Sequence, residues 1–311
     1  MNKKVIIALG GNALIKKNQK GNIYEQFANT RKISESIVKM IKENYRVVIT
    51  HGNGPQVGSI LLQNNAARAK IPPMPLGICV AESEGYIGYM IQQCIYNELK
   101  KLKIKKDVVT LITQVLVDEN DPSFLNLTKP IGPFFNKVEA HELIEDGYKV
   151  KEFSNGWRIV VPSPDPKKII EGEIIKKMID EDIIIIAAGG GGMPVIDNFS
   201  KLDGIEAVVD KDLASECLAE SIKAEILMIL TNVDQVYINY NKSNQKDINL
   251  INLSQIKKYY KEGQFPEGSM GPKILAAIRF LEYGGEKVII SNVDKAWESI
   301  KGNIGTHITK N

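Results

Sequence analysis

Two kinds of residue in this chain could do chemistry: glycines placed at the ends of apolar runs, and lysines placed where local electrostatics disfavour them. Gly10 and Gly11 follow the apolar run 5–9. Lacking a Cβ, they permit a sharp turn and let an anion approach backbone N–H groups closely. Asn12 can donate through its amide or cap the element that follows. Gly52, Asn53 and Gly54 follow a second apolar run, 46–50, and Pro55 suits the first turn of a new helix. Gly189 to Gly192 follow a third, 183–188. Three strand ends offering N–H donors imply an anionic ligand at the carboxyl edge of a sheet. No G-x-x-x-x-G-K-[ST] occurs, and Gly52-x-Gly54 with Gly58 has one residue too many for a dinucleotide fingerprint.

The lysines point the same way. Lys211 stands between Asp210 and Asp212 where a helix should begin, so its charge opposes the helix dipole. Lys273 meets the same conflict after Gly271 and Pro272, and Lys129 falls in a Pro/Gly-rich loop. A cation set against its local field is often held for a ligand; the bland alternative is three surface lysines in a Lys-rich chain. His51, His141 and His307 lie far apart, with none of the short spacings of a metal site. A mechanism built on a histidine base is disfavoured, although His51 adjoins a glycine turn. Cys79, Cys94 and Cys217 are widely separated and form no C-x-x-C pair, which fits reduced, buried thiols in the cytosol.

These residues need a scaffold. The chain has 311 residues, 43% hydrophobic and 25% charged, enough for a sizeable core. A net charge of +3 is too small to suggest nucleic acid or a membrane as partner. Lys3 and Lys4 precede an apolar run, but the glycines interrupt it, so the chain reads as soluble and unprocessed.

Helical periodicity covers 24–43, where Phe27, Ile33, Ile37 and Ile41 recur, and about 80–100, where Ile87, Ile91, Ile95 and Leu99 lie four apart. Further helices are expected over 173–180, 210–222 and from Gly268 onward. Strands are expected at 46–50, 108–117, 183–188, 225–233, 287–291 and 304–309. Residues 148–153 and 157–161 flank Ser154-Asn155-Gly156, a hairpin signal. Residues 241–252 read as a polar surface loop. Strands alternating with helices argue for an α/β fold with a parallel-rich sheet covered on both sides. The compositional shift over 118–166 suggests a small lobe inserted into that core.

With these segments in view, the chain resembles the carbamate kinases of the amino-acid kinase superfamily. The resemblance rests on ALGGNAL (8–14), THGNGPQVG (50–58), KPIGPFF (129–135), WRIVVPSPDP (157–166), AAGGGGMPV (187–195), VVDKDLAS (208–215), TNVDQVY (231–237) and GSMGPKILAA (268–277), in that order. It implies a three-layer αβα sandwich with a mainly parallel open sheet and a small protruding subdomain, 118–166. One kinase domain would span 1–311, with an acceptor (carbamate) lobe over 1–215 and a nucleotide lobe over 216–311. By the same resemblance Gly10, Gly11, Asn12, Gly52, Asn53 and Gly54 surround the acceptor and transferred phosphoryl group. Lys129, Lys211 and Lys273 neutralise phosphate charge, and Asp212 orients the lysines. Asn232, Asp234, Tyr237, Met270, Pro272 and Lys273 lie near the nucleotide. No protein metal site is implied; Mg2+ arrives with ATP or ADP. A homodimer and a cytoplasmic location are usual.

The expected reaction is reversible phosphoryl transfer between ATP and carbamate, giving ADP and carbamoyl phosphate and supplying ATP in fermentative arginine catabolism. Carbamate is already an anion, so positioning and positive charge matter more than a base. The alternatives are another acid-phosphorylating kinase of the acetylglutamate type, or a non-catalytic regulatory relative.

Overall fold

The apolar run near the N-terminus becomes the strand Lys4–Leu9, which lies inside an eight-stranded sheet. The sheet order is Leu250–Asn252, Thr306–Thr309, Lys287–Asn292, Ile226–Thr231, Lys4–Leu9, Arg46–His51, Ile184–Ile186, Val108–Thr110. The six strands from Lys287–Asn292 to Val108–Thr110 are parallel. Thr306–Thr309 runs antiparallel to its neighbour Lys287–Asn292, and Leu250–Asn252 follows it. The computed structural model describes residues 2–16, 18–266, 268–302 and 304–311, and the side chain of Asn12 also lies outside the described set.

Alternation along Lys4–Leu9 explains why the run is continuously apolar. Val5, Ile7 and Leu9 pack with the helices Ile23–Lys42 and Leu76–Lys101, while Ile6 and Ala8 face the helices Gly172–Asp180, Lys211–Ile222 and Met270–Tyr283. Both faces are covered, which makes the αβα sandwich. Each fully buried isoleucine contributes about 1.5–3 kcal/mol, so a polar residue at these positions would be costly.

A second, three-stranded sheet stands apart, in the order Lys129–Phe135, Gly156–Val161, Val150–Phe153. It includes the expected hairpin, with Phe153 paired to Gly156. Ile131, Leu143 and Ile159 form its own small core with Val57 and Val80. It packs on the helix Gly54–Ala67 at Gly58, where a Cβ would lie 2.1 Å from the backbone of Gly132. The chain leaves for this sheet after Gln114–Leu116 and returns at Lys168–Ile169, and those two segments pair antiparallel.

Some expectations change. Residues 108–117 are not one strand: Val108–Thr110 belongs to the large sheet and Gln114–Leu116 to a four-stranded one. The break is fixed at Thr113, whose N–H donates to Glu84 Oε2 at 3.2 Å and whose Oγ1 accepts from Ala188 N–H at 2.9 Å. Residues 241–252 are not only a loop, because buried Ile248 and Ile251 anchor two short strands. Lys129 opens a strand instead of lying in a loop; that strand is an edge, where proline is tolerated. The three cysteines are free and buried, and burial pushes the Cys217 thiol up to about 12. Among the described residues, no helix is long and apolar enough to cross a membrane.

Candidate active site

The glycine turns meet because the strands before them are neighbours. Leu9 pairs with His51 across the sheet, and Gly52 N–H donates to Leu9 O at 2.9 Å. A Cβ on Gly52 would lie 2.9 Å from Gly11 N, so only glycine allows the two turns to touch. Gly10 N–H donates to Leu230 O, which ties the first turn to the neighbouring strand end. The turn Gly189–Gly191 closes the same edge, and Gly190 reaches the cleft beside Asn53. The Asn53 side chain points into the protein, its Nδ2 donating to Ser83 Oγ at 2.8 Å.

Opposite the turns, charges converge from three separate elements. Asp210 caps the helix Lys211–Ile222, accepting Asp212 N–H at 2.9 Å on Oδ1 and Lys129 Nζ at 2.6 Å on Oδ2. Asp212 accepts Lys211 Nζ on Oδ1 and Lys273 Nζ, at 3.0 Å, on Oδ2. Lys273 also donates to Ser269 O at 3.2 Å, which seats it in the first turn of Met270–Tyr283. Three ammonium groups against two carboxylates leave one positive charge, and Arg158 in the cleft wall adds another.

Burial alone would raise the carboxyl pKa of Asp212, yet Lys211 and Lys273 hold it below the usual carboxylate range. The same competition, won chiefly by Lys129, holds Asp210 low. Burial pulls the Lys211 ammonium below its ordinary value against the pull of Asp212. Lys273 is desolvated as well, but Asp212 and Asp210 together raise it. Two ammonium groups about 4 Å apart repel by roughly 4 kcal/mol at an effective dielectric near 20, so a carboxylate between them is an organiser of both.

A second polar cluster lies beneath the turns. Glu84 Oε1 accepts Gly189 N–H at 2.9 Å while its other oxygen holds Thr113. His51 is fully buried, its Nδ1 is 3.3 Å from Gly52 O, and its Nε2 has no partner among the described residues. Desolvation lowers His51 to about 4 and raises Glu84 to about 8. His51 is thus a neutral buried side chain, in line with the expectation that no histidine serves as the base.

Of the residues picked from sequence, Gly10, Gly11, Gly52, Asn53, Gly54, Lys129, Lys211, Asp212 and Lys273 share one cleft. Of the residues expected near the nucleotide, Lys273 lines the cleft, whereas Asn232, Asp234, Tyr237, Met270 and Pro272 lie outside its wall. Asp234 holds Lys295 at 2.7 Å and Asn292 at 3.0 Å. Tyr237 lies 6.1 Å, ring to ring, from Tyr240; Asn232 follows the strand Ile226–Thr231, and Met270 and Pro272 open the helix that carries Lys273. On that side Thr231, Gly268 and Ser269 line the cleft.

Sequence reasoning missed Asp210, Arg158 and Glu84 as site residues. Asp210 was visible as a cap directly before Lys211. Arg158 was visible as a charge in the apolar strand segment WRIVV, and Glu84 as an acid in the apolar stripe of Val80, Ile87 and Ile91.

The amino acid kinase family model matches residues 3–292. A carbamate kinase of Pyrococcus furiosus is 51% identical over 312 residues, covering 99% of this chain and 99% of that protein. The structure of a Giardia lamblia carbamate kinase bound to citric acid superposes with a TM-score of 0.95 at 42% identity, covering 100% of this chain and 99% of that one. The same enzyme bound to AMP-PNP gives 0.92 at 42% identity, with the same coverage.

Proposed function

The chain belongs to the amino acid kinase family, and within it to the carbamate kinases, and from that premise we propose how its cleft transfers a phosphoryl group reversibly between ATP and carbamate. The observation that carries this reading is the pair Lys211 and Lys273 on the two oxygens of Asp212, facing the glycine turns. Carbamate is ionised at neutral pH, so no group has to remove a proton from it. Its oxygen attacks the γ-phosphorus while the bond to the ADP oxygen breaks. What the chain supplies is alignment and charge. The N–H groups of the turns at Gly10, Gly11 and Gly52–Gly54 hold oxygens of the acceptor and transferred group, and Lys129, Lys211 and Lys273 balance the phosphate charge.

Mg2+ fits this site as a passenger on the nucleotide. All four carboxylate oxygens of Asp210 and Asp212 already accept a lysine or backbone donor, and no cluster of acids, histidines or cysteines suited to a metal occurs among the described residues. When bound, the ion neutralises charge on the phosphates of the nucleotide.

We assign residues 1–215 to the acceptor side and 216–311 to the nucleotide side, with 118–166 as the protruding part. The division falls inside the helix Lys211–Ile222, so a helix and a continuous sheet, not a linker, join the halves. A cytoplasmic location accords with three free buried thiols. For the homodimer, the groove beside the edge strand Val108–Thr110, lined by Tyr89 and Tyr96, is the face we favour. ATP formation in arginine catabolism is the role that suits the reverse direction.

The test is ATP formation from Mg·ADP and carbamoyl phosphate, compared with acetyl phosphate and acetylglutamyl phosphate. Carbamoyl phosphate should be turned over far faster than either. Equal or better turnover of acetylglutamyl phosphate would overturn the substrate assignment.

A further inference from the structure

Arg158 differs from the other cations around the cleft. Lys129, Lys211 and Lys273 each hold a carboxylate, and elsewhere Arg68 pairs with Asp146 and Arg279 with Asp165. Among the described residues no carboxylate lies within 4.0 Å of Arg158. Its Nη2 donates to Gly132 O at 2.6 Å, and its guanidinium carbon lies 5.3 Å from the centre of the Phe134 ring. Its Nε is buried and finds no acceptor among the described residues. Burial pulls its pKa below the usual arginine value. A half-buried, rigidly held cation without a counter-charge is costly unless an anion joins it.

The geometry also says on which side that anion sits. Arg158 alternates with the buried Ile159, so it projects from the face of the small sheet opposite that sheet's core, where Pro130 also lines the cleft. A Cβ on Gly54 would lie 3.8 Å from the carbonyl oxygen of Pro130. The small sheet therefore meets the site at the turn Asn53–Gly54.

We propose that Arg158 binds the anionic acceptor, its guanidinium taking carboxylate oxygens of carbamate in one direction and phosphoryl oxygens of carbamoyl phosphate in the other. The proposal rests on the phosphoryl-transfer reading above and assigns Arg158 a place in it. A planar guanidinium offers two parallel N–H donors to such a group, which a lysine does not. Mounted with Lys129 on the same separate sheet, Arg158 makes acceptor binding depend on how that sheet is seated.

The experiment is steady-state kinetics of Arg158→Gln and Arg158→Lys in the ATP-forming direction. Removing a charged hydrogen-bond partner should raise the KM for carbamoyl phosphate roughly 10- to 100-fold, with the KM for ADP held within about twofold. Arg158→Lys keeps the positive charge but not the planar pair of donors, and should lose most of the same affinity while unfolding near the wild-type temperature. A rise in the KM for ADP alone, or unchanged constants in either folded variant, would overturn the assignment. Inorganic phosphate separates this from a failure of the phosphoryl-transfer reading. Phosphate should raise the unfolding temperature of the wild type more than that of Arg158→Gln, whatever the turnover. Equal protection of both would rule Arg158 out as an anion contact.

Discussion

Two buried polar clusters flank the glycine turns, one facing the cleft and one beneath it, and they handle charge in opposite ways. In the cleft, Asp210 and Asp212 are desolvated, yet the lysines keep their carboxyl groups below the ordinary range. Beneath the turns, burial prevails, taking His51 down to about 4 and Glu84 up to about 8, toward neutrality. This contrast is why we place the ligand at the first cluster. Charge kept in dry surroundings by opposed partners is ready for an anion, whereas groups that only fix backbone lose their charge. Glu84, His51 and Ser83 hold the turns in place; Lys129, Lys211 and Lys273 are the groups we propose to act on what the turns bind.

The largest effect should come from breaking the charged cluster. Lys273→Ala should lower kcat by roughly 10²–10³, the usual loss for one preorganised charge stabiliser. The variant should still fold cooperatively, since Asp212 keeps Lys211 as a partner. Near wild-type kcat in the folded variant would return Lys273 to the surface-lysine reading. Next comes the neutral cluster. In Gly189→Ala the new Cβ would lie 2.3 Å from His51 Nε2 and 2.8 Å from Glu84 Cγ. Denaturant unfolding should show a loss of roughly 1–3 kcal/mol; full stability would mean the turn is loosely held.

The smallest effect is a slope. Glu84 has a folded pKa near 8, above its unfolded value of 4.5, so its contribution is complete below pH 4.5 and is lost as pH rises toward 8. His51 has its folded value lowered from 6.5, and its contribution is lost as pH falls from 6.5 toward 4. The two slopes oppose each other between 4.5 and 6.5, leaving Glu84 alone of the pair between 6.5 and 8. Over that window the wild type should lose stability relative to Glu84→Gln by up to about 1.4 kcal/mol per pH unit. Parallel stability curves would show that Glu84 does not titrate there.

What was legible in the sequence was local. A glycine after an apolar run reads as a turn at a strand end, and a lysine in a helix's first turn reads as a misplaced charge; both readings lead to the cleft. Less legible was anything set by distant pairing. The strand Met193–Asp197 pairs with Gln114–Leu116 across a long stretch of chain, and neither is long enough to declare itself. Arg158 needed the small sheet before its alternation with Ile159 had a meaning. Nor did the motif around Asp234 announce its partners Lys295 and Asn292, which lie about sixty residues on.

In the mechanism proposed above, Asp212 organises charge and moves no proton. The pH dependence of kcat for Asp212→Asn, measured in both directions, tests it directly. Asparagine is nearly isosteric but cannot balance Lys211 and Lys273, so kcat should fall in both directions across the pH range, with no new acidic limb. A loss that higher pH or an added base restores would show that Asp212 transfers a proton, and would contradict the account.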